Sequence, residues 1–187
     1  MDVILIRHGE SEDNINKVYS RDTTFLTSKG REQILHTKER LKEFKFEKVY
    51  CSPLKRTKET LELLNLKGEE EPSLREVDFG IFKGKTFSEI VNIYPLESKL
   101  WIDETINYKI PQGESVFEAY NRIATFLDRL IFEDKDALLI THDGIVRLVL
   151  CWVLDSPDSF FKFKLNNGSI SRITIKDESK YIQNINI

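Results

Sequence analysis

The sequence predicts an α/β fold of three layers, in which helices cover a mostly parallel central sheet. Strand-like and helix-like segments alternate along the 187 residues, which is typical of parallel sheets. Short apolar runs such as residues 3–6 and 137–140 indicate strands, and longer stretches with apolar residues at helical spacing indicate helices. Length and a hydrophobic content of 40% fit one domain spanning residues 1–187.

The first half of the chain carries two predicted strands, each followed by a helix. Residues 2–7 form the first strand, and Thr27 or Ser28 is the N-cap of the first helix. Residues 46–51 form the second strand. Ser52-Pro53 then predicts a cap followed by proline in the first turn of a helix. Its predicted apolar face consists of Leu54, Thr57, Leu61 and Leu64.

The second half opens with a less regular segment, residues 82–113, which predicts a cap-like excursion off the sheet with one or two short helices at best. A strand at 136–140, a mostly buried helix at about 143–154, a turn at 166–169 and an alternating strand at 170–175 follow later. Between the excursion and that strand lies an amphipathic helix with the apolar stripe Val116, Tyr120, Ile123, Leu127, Leu130 and Ile131.

Composition indicates an ordinary globular protein of the cytoplasm. The net charge of -3 argues against a nucleic-acid partner, because proteins that bind nucleic acids usually carry a basic surface. No segment resembles a signal peptide, and the longest apolar run, 145–154, is too short to span a membrane. Cys51 and Cys151 lie in apolar stretches, so we expect buried, reduced thiols.

Charged and polar side chains stand where three predicted strands end. Arg7 and His8 follow the first strand, Arg56 follows the second, and His142 follows the strand at 136–140. Ligands bind outside the carboxyl ends of strands in open α/β sheets, near helix N-termini. Each side chain alone has an ordinary structural explanation, as does His36 within a helix. If the strands are neighbours, the side chains form a pocket suited to a dianionic phosphoryl group.

Several ordered motifs resemble the histidine phosphatase superfamily, which also contains cofactor-dependent phosphoglycerate mutase. The resemblance implies a phosphoglycerate mutase-like fold. Its motifs span most of the chain: Arg7-His8-Gly9-Glu10-Ser11, Asn14, Leu26-Thr27 with Gly30, Ser52-Pro53-Leu54 with Arg56-Thr57 and Thr60, Leu74 to Gly80, Pro111 with Gly113-Glu114-Ser115, Thr141-His142-Asp143-Gly144, and Asn167-Gly168-Ser169.

The resemblance implies a role for each site residue. His8 would be the nucleophile that becomes phosphohistidine, and Glu76 the general acid and base. The phosphoryl oxygens would bind Arg7, Asn14, Arg56 and His142, the last as an imidazolium, so that the two histidines differ in protonation. No metal and no cofactor are implied, because the arginines would repel a cation.

Three functions remain open at this point. A compact chain with a short 82–113 segment resembles the phosphatases that hydrolyse small phosphorylated metabolites, including α-ribazole phosphatases. A phosphoglycerate mutase and a non-catalytic phospho-ligand binder are the alternatives, and the sequence allows a monomer or a homodimer. Arg21, where relatives have a small residue, either faces the substrate or points to solvent. Four aromatic residues either stack on a base-like substrate or fill the cap: Phe82, Tyr94, Trp101 and Tyr108.

Overall fold

A six-stranded sheet forms the centre of the computed structural model, which describes residues 1–187. The strands are β1 (Asp2–Arg7), β2 (Lys48–Cys51), β3 (Glu69–Glu70), β4 (Ala137–Thr141), β5 (Ile170–Lys176) and β6 (Ser179–Asn184). Their spatial order is β3-β2-β4-β1-β5-β6. The first four strands run parallel, whereas β5 pairs antiparallel with both β1 and β6. The mostly parallel sheet is therefore confirmed, with an antiparallel edge that the sequence did not indicate.

Helices cover both faces of this sheet. They are α1 (Glu12–Asn16), α2 (Ser28–Leu41), α3 (Lys55–Leu64), α4 (Phe87–Ile93), α5 (Pro95–Asp103), α6 (Val116–Glu133) and α7 (Asp143–Val153), with short 3-10 turns at Pro72–Leu74, Gly80–Phe82 and Pro157–Lys162. None of these helices has the length and apolar character needed to cross a membrane.

Alternating side chains of β1 divide the core between two layers. Val3 and Leu5 pack in the cluster that contains α6 and α7, whereas Ile4 and Ile6 pack in the cluster that contains α2 and α3. Successive strand residues point to opposite faces, so an uninterrupted apolar strand requires cover on both sides. Each such side chain contributes about 1.5–3 kcal/mol relative to an exposed one. This burial produces the predicted three-layer architecture.

The start of α3 differs from the prediction. Its first helical residue is Lys55 and its N-cap is Leu54, so Pro53 precedes the helix instead of occupying its first turn. The Ser52 hydroxyl is engaged with His142 Nε2 at 2.7 Å, and Thr57 Oγ1 donates to the Ser52 carbonyl at 2.9 Å. These contacts keep the chain extended through Leu54 and place Arg56 in the first turn.

The cap segment holds two short helices around its own small core. Phe82, Ile90 and Ile110 are buried there, and Tyr94 and Tyr108 pack against them. Three of the four aromatic residues considered as substrate contacts therefore fill the cap. Trp101 also packs on this cluster, but it lines a cavity as well.

Both cysteines are buried and free. Burial raises the pKa of the Cys51 thiol to about 12 and that of Cys151 to about 11, which keeps both thiols protonated and unreactive. The prediction of buried, reduced thiols is confirmed.

Candidate active site

Sheet order brings the three polar strand ends together. Strand β4 lies between β1 and β2, so residues that follow these strands meet at one edge. The ring centroids of His8 and His142 are 5.2 Å apart, and Arg56 Nε lies 3.1 Å from His8 Nε2. Three of the four side chains predicted at strand ends therefore lie in contact, and the fourth, Arg7, lines the same cavity as His8, at the edge where parallel α/β sheets bind ligands.

Hydrogen bonds determine which ring nitrogen of His8 carries the proton. Nδ1 lies 2.7 Å from the Gly9 carbonyl oxygen, which only accepts, so Nδ1 is the protonated nitrogen. Nε2 accepts from Arg56 Nε at 3.1 Å and keeps its lone pair. Burial, with help from Arg56 and Arg7, lowers the pKa of His8 well below its ordinary value. His8 is thus a neutral imidazole whose Nε2 is the nucleophilic atom.

His142 has the same charge as His8 in this state. Burial and then Arg56 lower its pKa well below the ordinary value. Its Nε2 lies 2.7 Å from the Ser52 hydroxyl oxygen. That oxygen accepts a hydrogen bond from the Leu54 amide at 3.4 Å, so the hydroxyl donates its own proton to Nε2. Nδ1 then carries the ring proton and has no partner. The lowered pKa favours a neutral His142 that presents an N–H donor, and an imidazolium facing bound phosphoryl oxygens stays a prediction.

Two arginines, Arg56 fully buried and Arg7 partly buried, add further unused donors. Arg56 is fully buried, and its Nη1 donates to the Arg21 carbonyl at 2.7 Å while Nη2 has no partner. Arg7 Nη1 donates to the Leu165 carbonyl at 2.6 Å, and its Nε has no partner. Unpaired buried donors are costly, about 1–3 kcal/mol each. An anion bound beside His8 would satisfy them.

Asn14 lies on α1 with its amide oriented by three donors. Its Oδ1 accepts from the Ser11 amide at 3.0 Å, the Ser11 hydroxyl at 3.1 Å and Asn167 Nδ2 at 3.1 Å. This arrangement leaves the Asn14 amide nitrogen as a donor at the cavity that the residue lines. Neither Asn167 nor Ser52 was among the predicted site residues, because their contacts with Asn14 and His142 join distant parts of the chain.

Glu76 lies across the cavity from the strand ends, in the loop after Pro72–Leu74. Its Oε1 accepts from the Val77 amide at 3.0 Å and its Oε2 from the Gly144 amide at 3.4 Å. Burial raises the pKa of this carboxyl, and the Arg56 charge opposes the rise. A carboxyl with a raised pKa keeps its proton to a higher pH than an ordinary glutamate, as a general acid must.

Gly144 allows Glu76 to approach the start of α7. A Cβ at this position would lie inside the contact distance of Glu76 Oε1. We expect Gly144→Ala to displace the carboxylate and lower kcat/KM about 10- to 100-fold, although alanine is the better helix former. Steady-state kinetics, with a thermal melt to confirm folding, measure this effect. An unchanged kcat/KM in the folded variant would contradict it.

Two cavities that share part of their lining lie at the site, and His8 lines the first of them. The first, of about 250 Å³, is lined by Arg7, His8, Asn14, Lys17, Val18, Tyr19, Ser20, Glu76, Phe79 and Asp143. The second, of about 220 Å³, shares Tyr19, Glu76, Phe79 and Asp143 with the first. It adds Val77, Trp101, Val116, Gly144, Arg147, Phe160 and Phe161. A phosphoryl group at His8 would thus have an aromatic space beyond Glu76 for the rest of its molecule.

The neutral histidines give the fold a pH-dependent stability. Below about pH 6.5 His8 and His142 are protonated in the unfolded chain but stay neutral in the folded chain. The free energy of unfolding therefore falls as pH falls. Each histidine contributes a slope of at most about 1.4 kcal/mol per pH unit. Glu76 has the opposite effect. Its pKa is raised in the fold, so its contribution to the free energy of unfolding is present at low pH and is lost as pH rises through that pKa.

Urea unfolding at about pH 7.5 and about pH 5 measures this effect. We expect wild type to lose stability at the lower pH, and His142→Asn to lose less. Equal losses in the two proteins would show that His142 is not the group responsible.

Comparison with known proteins agrees with the geometry. The family model described as histidine phosphatase superfamily (branch 1) matches residues 3–187. Phosphoserine phosphatase 1 from Hydrogenobacter thermophilus is 29% identical over 193 residues, covering 99% of this chain and 92% of that protein. GpmB from Proteus mirabilis, named a probable phosphoglycerate mutase, is 30% identical over 181 residues, covering 92% of this chain and 84% of GpmB.

Other relatives are longer. The chain is 34% identical over 158 residues to 6-phosphofructo-2-kinase/fructose-2,6-bisphosphatase 4 from Rattus norvegicus, and the match covers 82% of this chain but 33% of that protein.

Among solved structures, the α-ribazole phosphatase from Shigella flexneri superposes with a TM-score of 0.92 at 26% identity, covering 100% of this chain and 96% of that chain. The phosphoglycerate mutase-like fold is thereby confirmed, and the chain belongs to the histidine phosphatase superfamily.

Proposed function

We propose that this protein is a metal-independent phosphomonoesterase that works through a phosphohistidine on His8. The observation that carries the proposal is the state of His8: it is buried and neutral, and its Nε2 lone pair lies beside Arg56. Unused donors on Arg7, Arg56 and His142 surround it. A neutral imidazole attacks phosphorus once the charge on the phosphoryl oxygens is neutralised, and these donors supply that neutralisation.

In the first step, His8 Nε2 forms a bond to phosphorus while the bond from phosphorus to the ester oxygen breaks. The electron pair of that bond goes to the leaving oxygen, which takes a proton from Glu76. Arg7, Arg56, His142 and the Asn14 amide stabilise the phosphoryl oxygens. Glu76 is suited to this role because burial raises the pKa of its carboxyl. The products are the free alcohol and phosphorylated His8.

In the second step, water attacks the phosphorus of phosphohistidine and the bond from phosphorus to Nε2 breaks. Glu76, now a carboxylate, takes a proton from the water. Inorganic phosphate leaves and His8 returns to its neutral form with Nδ1 still protonated, held by the Gly9 carbonyl at 2.7 Å. Glu76 ends the cycle protonated, as it began.

The substrate we favour is a small phosphorylated metabolite with a planar, weakly polar alcohol part. Support comes from the second cavity, where Tyr19, Phe79 and Trp101 present aromatic surface next to Glu76. The likeness to a solved α-ribazole phosphatase adds α-ribazole 5'-phosphate as a specific candidate.

A phosphoglycerate mutase is the second candidate, supported by the 30% identity to GpmB. A mutase transfers the phosphoryl group back to substrate and must exclude water from phosphohistidine. The two functions therefore differ in product. With 3-phosphoglycerate and a bisphosphoglycerate primer, a mutase gives isomer and a phosphatase gives inorganic phosphate.

A phosphate-release screen in the presence of EDTA tests the proposal. The panel contains an aryl phosphate, α-ribazole 5'-phosphate, phosphoserine and the primed 3-phosphoglycerate mixture. We expect phosphate release that EDTA leaves unchanged, fastest with the aromatic substrates. No release from any substrate, or isomer as the main product, would contradict the phosphatase assignment.

A further inference from the structure

We propose that Asp13 is a positioning residue for Arg56 and acts through the backbone carbonyl of Arg21. The proposal rests on the function proposed above, because phosphomonoester turnover is one of its two readouts. The sequence leaves two orientations open for the Arg21 side chain, toward the substrate or toward solvent. Its side chain instead pairs with Asp13, with Nη2 2.5 Å from Asp13 Oδ1.

Arg56 depends on a single backbone group for its orientation. Its Nη1 donates to the Arg21 carbonyl at 2.7 Å, its Nε faces the His8 lone pair at 3.1 Å, and its Nη2 has no partner. The contact with His8 is the one that a bound phosphoryl group would disturb. The Arg21 carbonyl therefore holds the guanidinium in place during the reaction.

Asp13 in turn holds Arg21. The carboxylate is only 1% exposed, and its Oδ2 accepts from the Arg21 amide at 2.8 Å and from the Thr24 hydroxyl. Its Oδ1 accepts from Arg21 Nε at 3.0 Å and from Nη2 at 2.5 Å. Burial tends to raise the pKa of Asp13, but hydrogen bonds from Arg21 and Thr24 lower it below the ordinary value. Asp13 thus remains a charged acceptor that binds both backbone and side chain of Arg21.

Further contacts connect the loop that contains Arg21 to the active site. The Asp22 carbonyl accepts from the Lys55 amide at 3.2 Å, so consecutive carbonyls of one loop contact the first turn of α3. Asp13 itself belongs to α1, next to Asn14, which lines the phosphoryl cavity. A shift of this loop would move Arg56 relative to Asn14 and His8, and a misplacement of about 1 Å costs up to about 100-fold in rate.

Asp13→Asn tests the proposal, because an amide nitrogen cannot accept the Arg21 donors on its side. We expect kcat/KM for an aryl phosphate to fall about 10- to 100-fold when Arg56 is present. In an Arg56→Ala background, the same change should cost less than about twofold, since its effect passes through Arg56. Affinity for inorganic phosphate, measured by calorimetry, should show the same dependence on Arg56.

Glu59→Gln is the matched control. Glu59 is a buried carboxylate on α3 that accepts from a backbone amide, Leu26 at 3.0 Å, and from Arg31 at 3.3 Å, without contact to the Arg21 carbonyl. We expect it to lower kcat/KM less than about twofold. A loss as large as that of Asp13→Asn would mean that any buried carboxylate gives the effect, and would overturn the proposal.

An equal loss from Asp13→Asn with and without Arg56 would also overturn it, since the effect would then be structural. If Asp13→Asn does not fold, Arg21→Ala removes the side-chain part of the contact and is tested in the same two backgrounds. If wild type hydrolyses no phosphomonoester, the proposed function fails, but the phosphate affinities still decide whether Asp13 acts through Arg56.

Discussion

His8→Ala is expected to lose at least about 10⁴-fold in kcat toward every substrate, while the fold remains intact. Removal of the imidazole removes the atom that bonds to phosphorus, and no neighbouring side chain can replace it. His142 is neutral like His8, but its Nε2 is engaged with Ser52 at 2.7 Å and its Nδ1 carries the ring proton. It has no lone pair free for attack.

Steady-state kinetics with an aryl phosphate measure this loss, and His36→Ala is the control. His36 is an exposed histidine on α2 that lines neither cavity of the site, and its replacement should leave kcat unchanged. A His8→Ala variant that turns over as fast as His36→Ala would show that another group is the nucleophile.

Glu76→Gln is expected to produce a loss that depends on the leaving group. An alkyl phosphate releases an alkoxide that needs a proton, so kcat/KM should fall about 10²- to 10⁴-fold. The first step with an aryl phosphate needs little help from an acid, because the phenolate leaves without a proton. Glutamine keeps the acceptor oxygen for the Val77 amide, at 3.0 Å in the wild type, so the loop should stay in place.

The pH profile provides the second readout for Glu76. Leaving-group protonation requires the protonated carboxyl, so kcat/KM for the alkyl substrate should fall as pH rises through the raised pKa of Glu76. This limb should be absent in Glu76→Gln and weak with the aryl substrate. Equal losses of kcat/KM, which reports the first step alone, for both leaving groups would rule out Glu76 as the proton donor.

Residues at the strand ends were predictable because local rules place them. The apolar runs before Arg7-His8 and Thr141-His142 indicate strands, and parallel strands end at a common edge. The adjacency of β1, β4 and β2 follows from the sheet order, which local patterns do not encode. Glu76 could be assigned only through the family resemblance, since it reaches the site on a loop whose position depends on contacts with α7, including the Gly144 amide at 3.4 Å.

Other features depended on contacts between distant residues. The extended start of α3 follows from the pairing of Ser52 with His142, 90 residues apart in sequence. The antiparallel edge follows from the pairing of β5 with β1 at the opposite end of the chain. The protonation of His142 depends on burial and on Arg56, neither of which is visible in the motif Thr141-His142-Asp143-Gly144. Such effects appear only when the chain is folded.

Direct detection of phosphorylated His8 tests the central claim. Wild type and Glu76→Gln would be mixed with an aryl phosphate, quenched in alkali, which preserves phosphohistidine, and analysed by mass spectrometry of peptides and by ³¹P NMR. We expect one phosphoryl group on Nε2 of His8, with more accumulated in Glu76→Gln because the attacking water lacks its base. Phosphate release with no phosphorylated His8 in either protein, or a phosphoryl group on another residue, would contradict it.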